Sequence, residues 1–111
     1  MVTEQPVLVT SIKAYVALSK NRIVCFNRAH GMTNPMGVCA ADTKLGEHAP
    51  IITHGIATIE SGESIFAGEK IGPDSLGRAV PFPFYNDYLG KALDGAETAG
   101  ILIRVVLNVP Q

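Results

Sequence analysis

The strongest constraint on this chain is how often it is interrupted. Eleven glycines and seven prolines are spread through its 111 residues. Proline removes a backbone donor and clashes with the preceding turn of a helix, and glycine loses more conformational entropy on ordering than any other residue. The stretches between these breaks show no sustained 3.6-residue apolar period, and they leave little room for helices. They are short and rich in Val, Ile, Leu and Thr, and read as strands. Eight strands are predicted, at 7–14, 22–26, 36–41, 49–59, 70–72, 78–81, 89–93 and 101–109. The expected fold class is all-β: a small single domain built as a sandwich, a jelly-roll-like arrangement or a partly open barrel. Residues 1–8 are expected to form an extended N-terminal arm and residues 9–111 the β domain.

Two segments carry sharper local information. In Ile71-Gly72-Pro73-Asp74-Ser75-Leu76-Gly77-Arg78, Pro73 presets φ for a turn, Asp74 can bond its own backbone and Gly77 can take positive φ. This predicts a β-turn between two short strands. The last strand, Ile101 to Leu107, is apolar apart from Arg104, which predicts burial on both faces or on one face and an interface. Asp94 to Gly100 is expected to be a loop with room for one helical turn. Glu60 and Glu63 flank Ser61-Gly62 and are expected to stand at a solvated turn tip.

The chain also echoes itself. Leu18-Ser19-Lys20-Asn21-Arg22-Ile23-Val24 resembles Ile65-Phe66-Ala67-Gly68-Glu69-Lys70-Ile71, with turn-formers at Asn21 and Gly68. Met36-Gly37-Val38-Cys39-Ala40 resembles Leu89-Gly90-Lys91-Ala92-Leu93, and each is followed by a small polar loop containing Gly46 or Gly100. Two copies are too few for a solenoid. They suit a β domain made of two similar meander halves.

Charge narrows the function. Nine Lys and Arg stand against ten Asp and Glu, so no basic excess is present to neutralise phosphates, and nucleic acid is not an expected partner. No segment approaches the ~18 apolar residues of a membrane span, and the N-terminus lacks the basic and apolar regions of a signal peptide. Synthesis in the cytoplasm and no membrane partner are the expectations. Charged residues make up 17% of the chain, below the ~25% usual for soluble domains. Such a domain either has a compact core or covers apolar surface with a partner.

The residues of catalysis are sparse and badly placed. His48 and His54 with Cys25 or Cys39 are conceivable zinc ligands, but there is no C-x-x-C pair and no helical His spacing. Cys25 and Cys39 lie in strand-like runs, which predicts buried, reduced, inert thiols rather than nucleophiles. No nucleophile elbow or phosphate loop is present. No enzyme activity, metal or cofactor is expected. The unusual patch is Pro81-Phe82-Pro83-Phe84-Tyr85-Asn86-Asp87-Tyr88, which holds two of four Phe and two of three Tyr. Pro83 bars regular strand pairing. These rings either cap the core or anchor a partner, where aromatic residues concentrate binding energy. The N-terminal arm is the second candidate contact. The candidate partner-binding residues are Val2, Val7, Leu8, Phe82, Phe84, Tyr85 and Tyr88.

A resemblance joins these pieces. Thr53-His54-Gly55-Ile56-Ala57, then Ile65 to Ile71, then Asp74-Ser75-Leu76-Gly77-Arg78-Ala79-Val80, then Leu89 to Leu93, then Ala99-Gly100 and Ile103-Arg104-Val105-Val106-Leu107 form an ordered series. That series resembles the small capsid-cement (head decoration or stapling) proteins of tailed phages, of the kind carried by short-tailed phages. The likeness runs from about Val9 to Asn108, and its motifs are glycines and aliphatics. The stretch from Pro81 to Tyr88 departs from the family's pattern. The resemblance implies a non-enzymatic protein on the outer surface of the icosahedral head, bound to the major capsid protein and bridging neighbouring subunits. It also implies self-association as a homodimer or homotrimer, the dimer preferred. The alternatives are another virion β-module, from tail or baseplate, and a carbohydrate-binding β-sandwich. A small hydrolase would need converging His and carboxylates that the sequence does not display.

Overall fold

The structure is a computed structural model, and it describes residues 5–31, 35–81 and 89–107, with the backbone alone for Gln5, Pro6 and Val7. Eight strands form: β1 (Gln5–Lys13), β2 (Ile23–Cys25), β3 (Pro35–Cys39), β4 (His48–Glu60), β5 (Lys70–Pro73), β6 (Ala79–Pro81), β7 (Gly90–Ala92) and β8 (Leu102–Leu107). Each overlaps one predicted run, and no helix occurs among the described residues. The strand ladder is antiparallel and runs β2-β3-β4-β8-β7-β5-β6, with β1 also paired to β4. The β1 ladder is irregular around Leu8 and runs without interruption from Val9 to Lys13.

The sheet curls until its ends nearly meet. Ile23 N–H on β2 donates to Gly77 O in the β5–β6 turn (2.7 Å), and Glu60 N–H donates to Asn21 O (3.0 Å). Arg22 Nη1 donates to Leu76 O across the same seam (3.0 Å). Of the all-β arrangements open to the sequence, a nearly closed barrel is the one formed.

The seam depends on the turn that Pro73 introduces. The Asp74 carboxylate accepts the N–H groups of Leu76 (2.9 Å) and Arg78 (2.8 Å) and the Nε of Arg78 (2.9 Å). Gly77 has φ 79°, a conformation that a β-carbon makes unfavourable.

The barrel's hydrogen bonds follow one pattern twice. Leu18 and Thr43 exchange backbone bonds of 2.8 Å, Asn21 N–H donates to Cys39 O (2.9 Å), and Gly46 N–H donates to Ala14 O (2.9 Å). Ile65 and Ala96 exchange bonds of 2.8 and 2.9 Å, Gly68 N–H donates to Ala92 O (2.7 Å), and Gly100 N–H donates to Ser61 O (2.8 Å). Asn21 and Gly68 are both left-handed, with φ 64° and 90°. The third strand of each set also passes very close to the next one. A Cβ on Gly37 would strike the carbonyl oxygen of Ile52, and a Cβ on Gly90 would strike that of Val106.

Consecutive residues of β2, β3 and β4 face two cores. Ile23, Val38 and Ile52 join the main interior with Ile59, Ile71, Ile103 and Val105. Their neighbours Val24, Cys39 and Ile51 pack with Ala14, Leu18 and Ala49 in a smaller cluster. This explains the unbroken apolar runs in β2 and β3. β8 alternates instead: Ile103, Val105 and Leu107 are buried, while Leu102, Arg104 and Val106 face outward to differing degrees. The sequence left open burial of both β8 faces, and the structure buries only one.

The loop from Asp94 to Gly100 has no helical turn and is pinned from both sides. Arg104 donates from Nε (2.8 Å) and backbone N–H (3.1 Å) to one Asp94 oxygen and from Nη2 (2.8 Å) to the other. Ser61 Oγ donates to Thr98 O (2.8 Å) and accepts from Ile101 N–H (3.0 Å). Ser61 is therefore fully buried and not part of a solvated tip. Glu60 is half-buried and paired with Arg22 at 3.3 Å, and Glu63 alone stands in solvent. An orphaned loop carbonyl and N–H would be costly, so a small hydroxyl at Ser61 is drawn inward.

Two measurements test these supports. Gly37→Ala and Gly90→Ala are each expected to lower stability by about 2–3 kcal/mol, read as a lower denaturant midpoint at unchanged slope. Gly31→Ala is the control, because its Cβ would meet nothing nearer than Cys25 Sγ at 3.9 Å. Equal stability in all three variants would refute the close strand crossing. The second test uses acid. The Arg104 guanidinium, hydrogen-bonded to the Asp94 carboxyl, holds it below its ordinary value, against the opposing pull of burial. Because folding lowers this pKa, the pair's contribution is complete above the ordinary aspartate value of ~4 and is lost as pH falls through the lower folded value. Asp94→Asn should lower the thermal midpoint by roughly 2–4 °C at neutral pH, with the gap closing in acid. A gap that is the same at neutral pH and at about pH 2 would show that the charge contributes nothing.

Candidate functional site

Three connections meet at one end of the barrel. β1 ends at Lys13, opposite His48 at the start of β4. Ala14 N–H donates to Glu47 O (2.8 Å), which lays the chain after β1 against the Lys44–Glu47 turn. The turn after β2 arrives at the same place. Arg28 Nη1 donates to Lys13 O (3.2 Å), and the guanidinium carbon lies 4.6 Å from the centroid of the Tyr15 ring, within cation–π range.

This end is both apolar and basic. Tyr15 is 58% exposed, Phe26 68%, Leu45 68% and Val16 45%. Lys13, Arg28 and Lys44 surround them, with Glu47 the one carboxylate in these three segments. Arg28 has φ 65°, a conformation that costs an L-residue other than glycine about 1 kcal/mol or more. Its N–H is held by Cys25 O (2.9 Å) in the turn. Asn21, the other non-glycine residue with positive φ among the described residues, belongs to a type that tolerates it, and its amide oxygen accepts Thr58 Oγ at 2.8 Å.

The opposite end has the same backbone plan and the other sign of charge. β4 has 13 residues and bends along its length: Asn21 bonds both Cys39, which pairs with Ile51, and Glu60 near the strand's far end. Its far end pairs Glu60 with Leu102. Around it stand Glu60, Glu63, Asp74 and Glu97. Arg22 pairs with Glu60 at 3.3 Å and Arg78 with Asp74 at 2.9 Å. Among the described residues no ion pair engages Glu63 or Glu97, and both are exposed. An open depression between Ser64–Ala67 and Gly95–Glu97 lies here, beside Phe66, which is 74% exposed.

Of the partner-binding candidates from sequence, Val2, Phe82, Phe84, Tyr85 and Tyr88 lie outside the described residues. Val7 lies within β1, and Leu8 is 49% exposed. Sequence reasoning did not single out Tyr15, Phe26 or Arg28. Tyr15 directly follows the first strand run, but the Arg28 conformation at the turn whose side chain stacks on the Tyr15 ring leaves no trace in residue type.

The candidate chemical groups serve the fold. Cys25 and Cys39 are buried and no disulfide joins them. Burial pushes the Cys39 thiol up, and its Sγ donates to Ala41 O (3.0 Å); a reactive cysteine needs the opposite shift. His30 Nε2 accepts Ser19 N–H (3.0 Å), which leaves Nδ1 to donate to Ile23 O (2.8 Å). Both ring nitrogens are thus occupied by backbone. His54 Nδ1 lies 3.1 Å from Thr53 Oγ1. Among the described residues no group of three or more His, Cys, Asp or Glu is placed to hold a metal ion.

No curated protein sequence matches the chain. The solved structures include a close match in fold, the N base of head fiber gp8.5 of bacteriophage phi29. It has a TM-score of 0.74 at 19% identity, over 91% of this chain and 93% of that one. A family model described as phage cement protein matches residues 2–107. With nearly its whole length covered by that model, the chain belongs to the phage cement protein family.

Proposed function

We propose that this protein binds the outer surface of the icosahedral phage head and reinforces the shell by bridging neighbouring capsid subunits. The family match over residues 2–107 carries this reading, because membership makes the protein a capsid-associated structural component of a phage. The finer assignment is supported by the surface. A nearly closed barrel is a rigid platform with few open edges, and among the described residues it displays apolar side chains such as Tyr15, Phe26, Leu45 and Phe66 in its connecting loops. In this reading the partners are the major capsid protein and further copies of the chain, as a homodimer or homotrimer. The arm at residues 1–8, with Val2, Val7 and Leu8, and the aromatic segment with Phe82, Phe84, Tyr85 and Tyr88 supply contacts. Modest contacts of this kind become strong retention when several copies bind together.

The test is to mix purified protein with heads that lack it, sediment the heads, and count bound copies against the major capsid protein. Saturation at a fixed ratio, with greater resistance of the heads to heat, is the expected result. Absence of co-sedimentation at micromolar protein would sink the reading and favour a tail or baseplate module. Phe84→Ala with Tyr85→Ala should weaken binding about tenfold or more while the thermal midpoint stays unchanged. Unfolding of that double variant would place the rings in the core and remove them from the contact.

A further inference from the structure

The two ends of β4 differ in a way the proposed function does not require. The first end gathers Tyr15, Phe26 and Leu45 in the open together with Lys13, Arg28 and Lys44. The second repeats the same backbone hydrogen bonds but carries Glu63 and Glu97 without ion-pair partners among the described residues. In a chain whose formal net charge is only −1, the two ends thus carry opposite signs.

Resting on the head-binding reading, we propose that the basic pole is the face that docks, and that it docks onto a carboxylate-bearing, apolar-centred surface of the head shell. Charge complementarity chooses the pole. An acidic surface attracts Lys13, Arg28 and Lys44 and repels Glu63 and Glu97, so the molecule approaches in one orientation. The side chains choose the contact. Arg and Tyr dominate binding hot spots, and here they are stacked on each other at 4.6 Å before any partner arrives.

Strain is the independent sign. Arg28 holds a left-handed backbone (φ 65°) at a turn where glycine would be relaxed. The side chain's bond to Lys13 O is solvent-exposed and gives weak reason for keeping arginine there. Arg28 is half-buried, and a residue held in an unfavourable conformation on a binding rim is characteristic of a site shaped in advance. Among the described residues of the acidic pole, the positive-φ positions are held by Gly68, Gly77, Gly100 and Asn21, a residue type that tolerates the conformation and whose carbonyl accepts Glu60 N–H.

The experiment compares four proteins in the head-sedimentation assay, with thermal melting of each. Arg28→Gly should melt at the same or a higher temperature yet bind heads about tenfold more weakly. Arg28→Glu with Lys44→Glu should lose on the order of a hundredfold. Glu63→Gln with Glu97→Gln should bind as the wild type does. Wild-type binding should also weaken as salt is raised. Wild-type binding with all three variants equal to it overturns the docking proposal and leaves the head-binding reading standing. Loss of binding in the Glu63→Gln, Glu97→Gln protein alone assigns docking to the acidic pole and overturns it too. If the Arg28→Glu, Lys44→Glu protein changes the size of the free oligomer but not its binding per subunit, the basic pole joins copies of this chain, and the assignment to the shell fails. No binding by the wild type overturns both readings together.

Discussion

Everything in this barrel hangs on one strand. β4 runs for 13 residues and pairs with β1 along its first part, with β3 at Ile51 and Ile52, and with β8 from Gly55 to Glu60. Ile51 faces the smaller cluster, and Ile52, Ala57 and Ile59 face the main interior. The same strand is thus the last of one hydrogen-bonded set and the first of the next. A β-strand can serve two sheets' worth of neighbours only if the crossing strands come in close, and Gly37 and Gly90 supply that approach at matching places.

A duplicated backbone carrying different side chains separates what the fold needs from what it does not. Positions that recur are those the hydrogen bonds require: the left-handed residues at Asn21 and Gly68, and the turn glycines at Gly46 and Gly100. Other positions differ between the halves, on the surface and in the interior alike. Lys13 and Glu60 occupy corresponding strand ends with opposite charge, and Ala14 and Ser61 accept the same loop N–H through their carbonyls. Ser61 goes further and ties down Thr98 and Ile101 with its hydroxyl. The exposed pole residues, Tyr15, Phe26 and Leu45 at one end and Glu63, Phe66 and Glu97 at the other, are free of the packing constraint, so charge and aromatic content can differ between the ends without altering the barrel.

The polar groups of the interior are spent on architecture. Among the described residues no buried side-chain nitrogen or oxygen lacks a partner. His30 bridges Ser19 and Ile23, Asp74 closes the turn at the seam, and Asp94 with Arg104 fixes the loop at the acidic pole. A barrel whose loops are each tied to the frame resists deformation through many small cooperating contacts.

Much of this was legible in the sequence. The spacing of glycine and proline limited the chain to short strands, the Val and Ile content made them strands rather than loops, and Pro73, Asp74 and Gly77 announced their turn, because all of these act through a residue's own dihedrals and immediate neighbours. The ordered glycines and aliphatics also carried the likeness to phage cement proteins. Tertiary structure alone decided the rest. Barrel closure joins Ile23 to Gly77, the burial of Ser61 depends on Thr98 and Ile101, and the strained Arg28 meets Tyr15 only because β1 and β2 end on the same rim. Each of those pairs lies far apart along the chain, and no local propensity records which distant carbonyl or ring a residue will find once the sheet has curled.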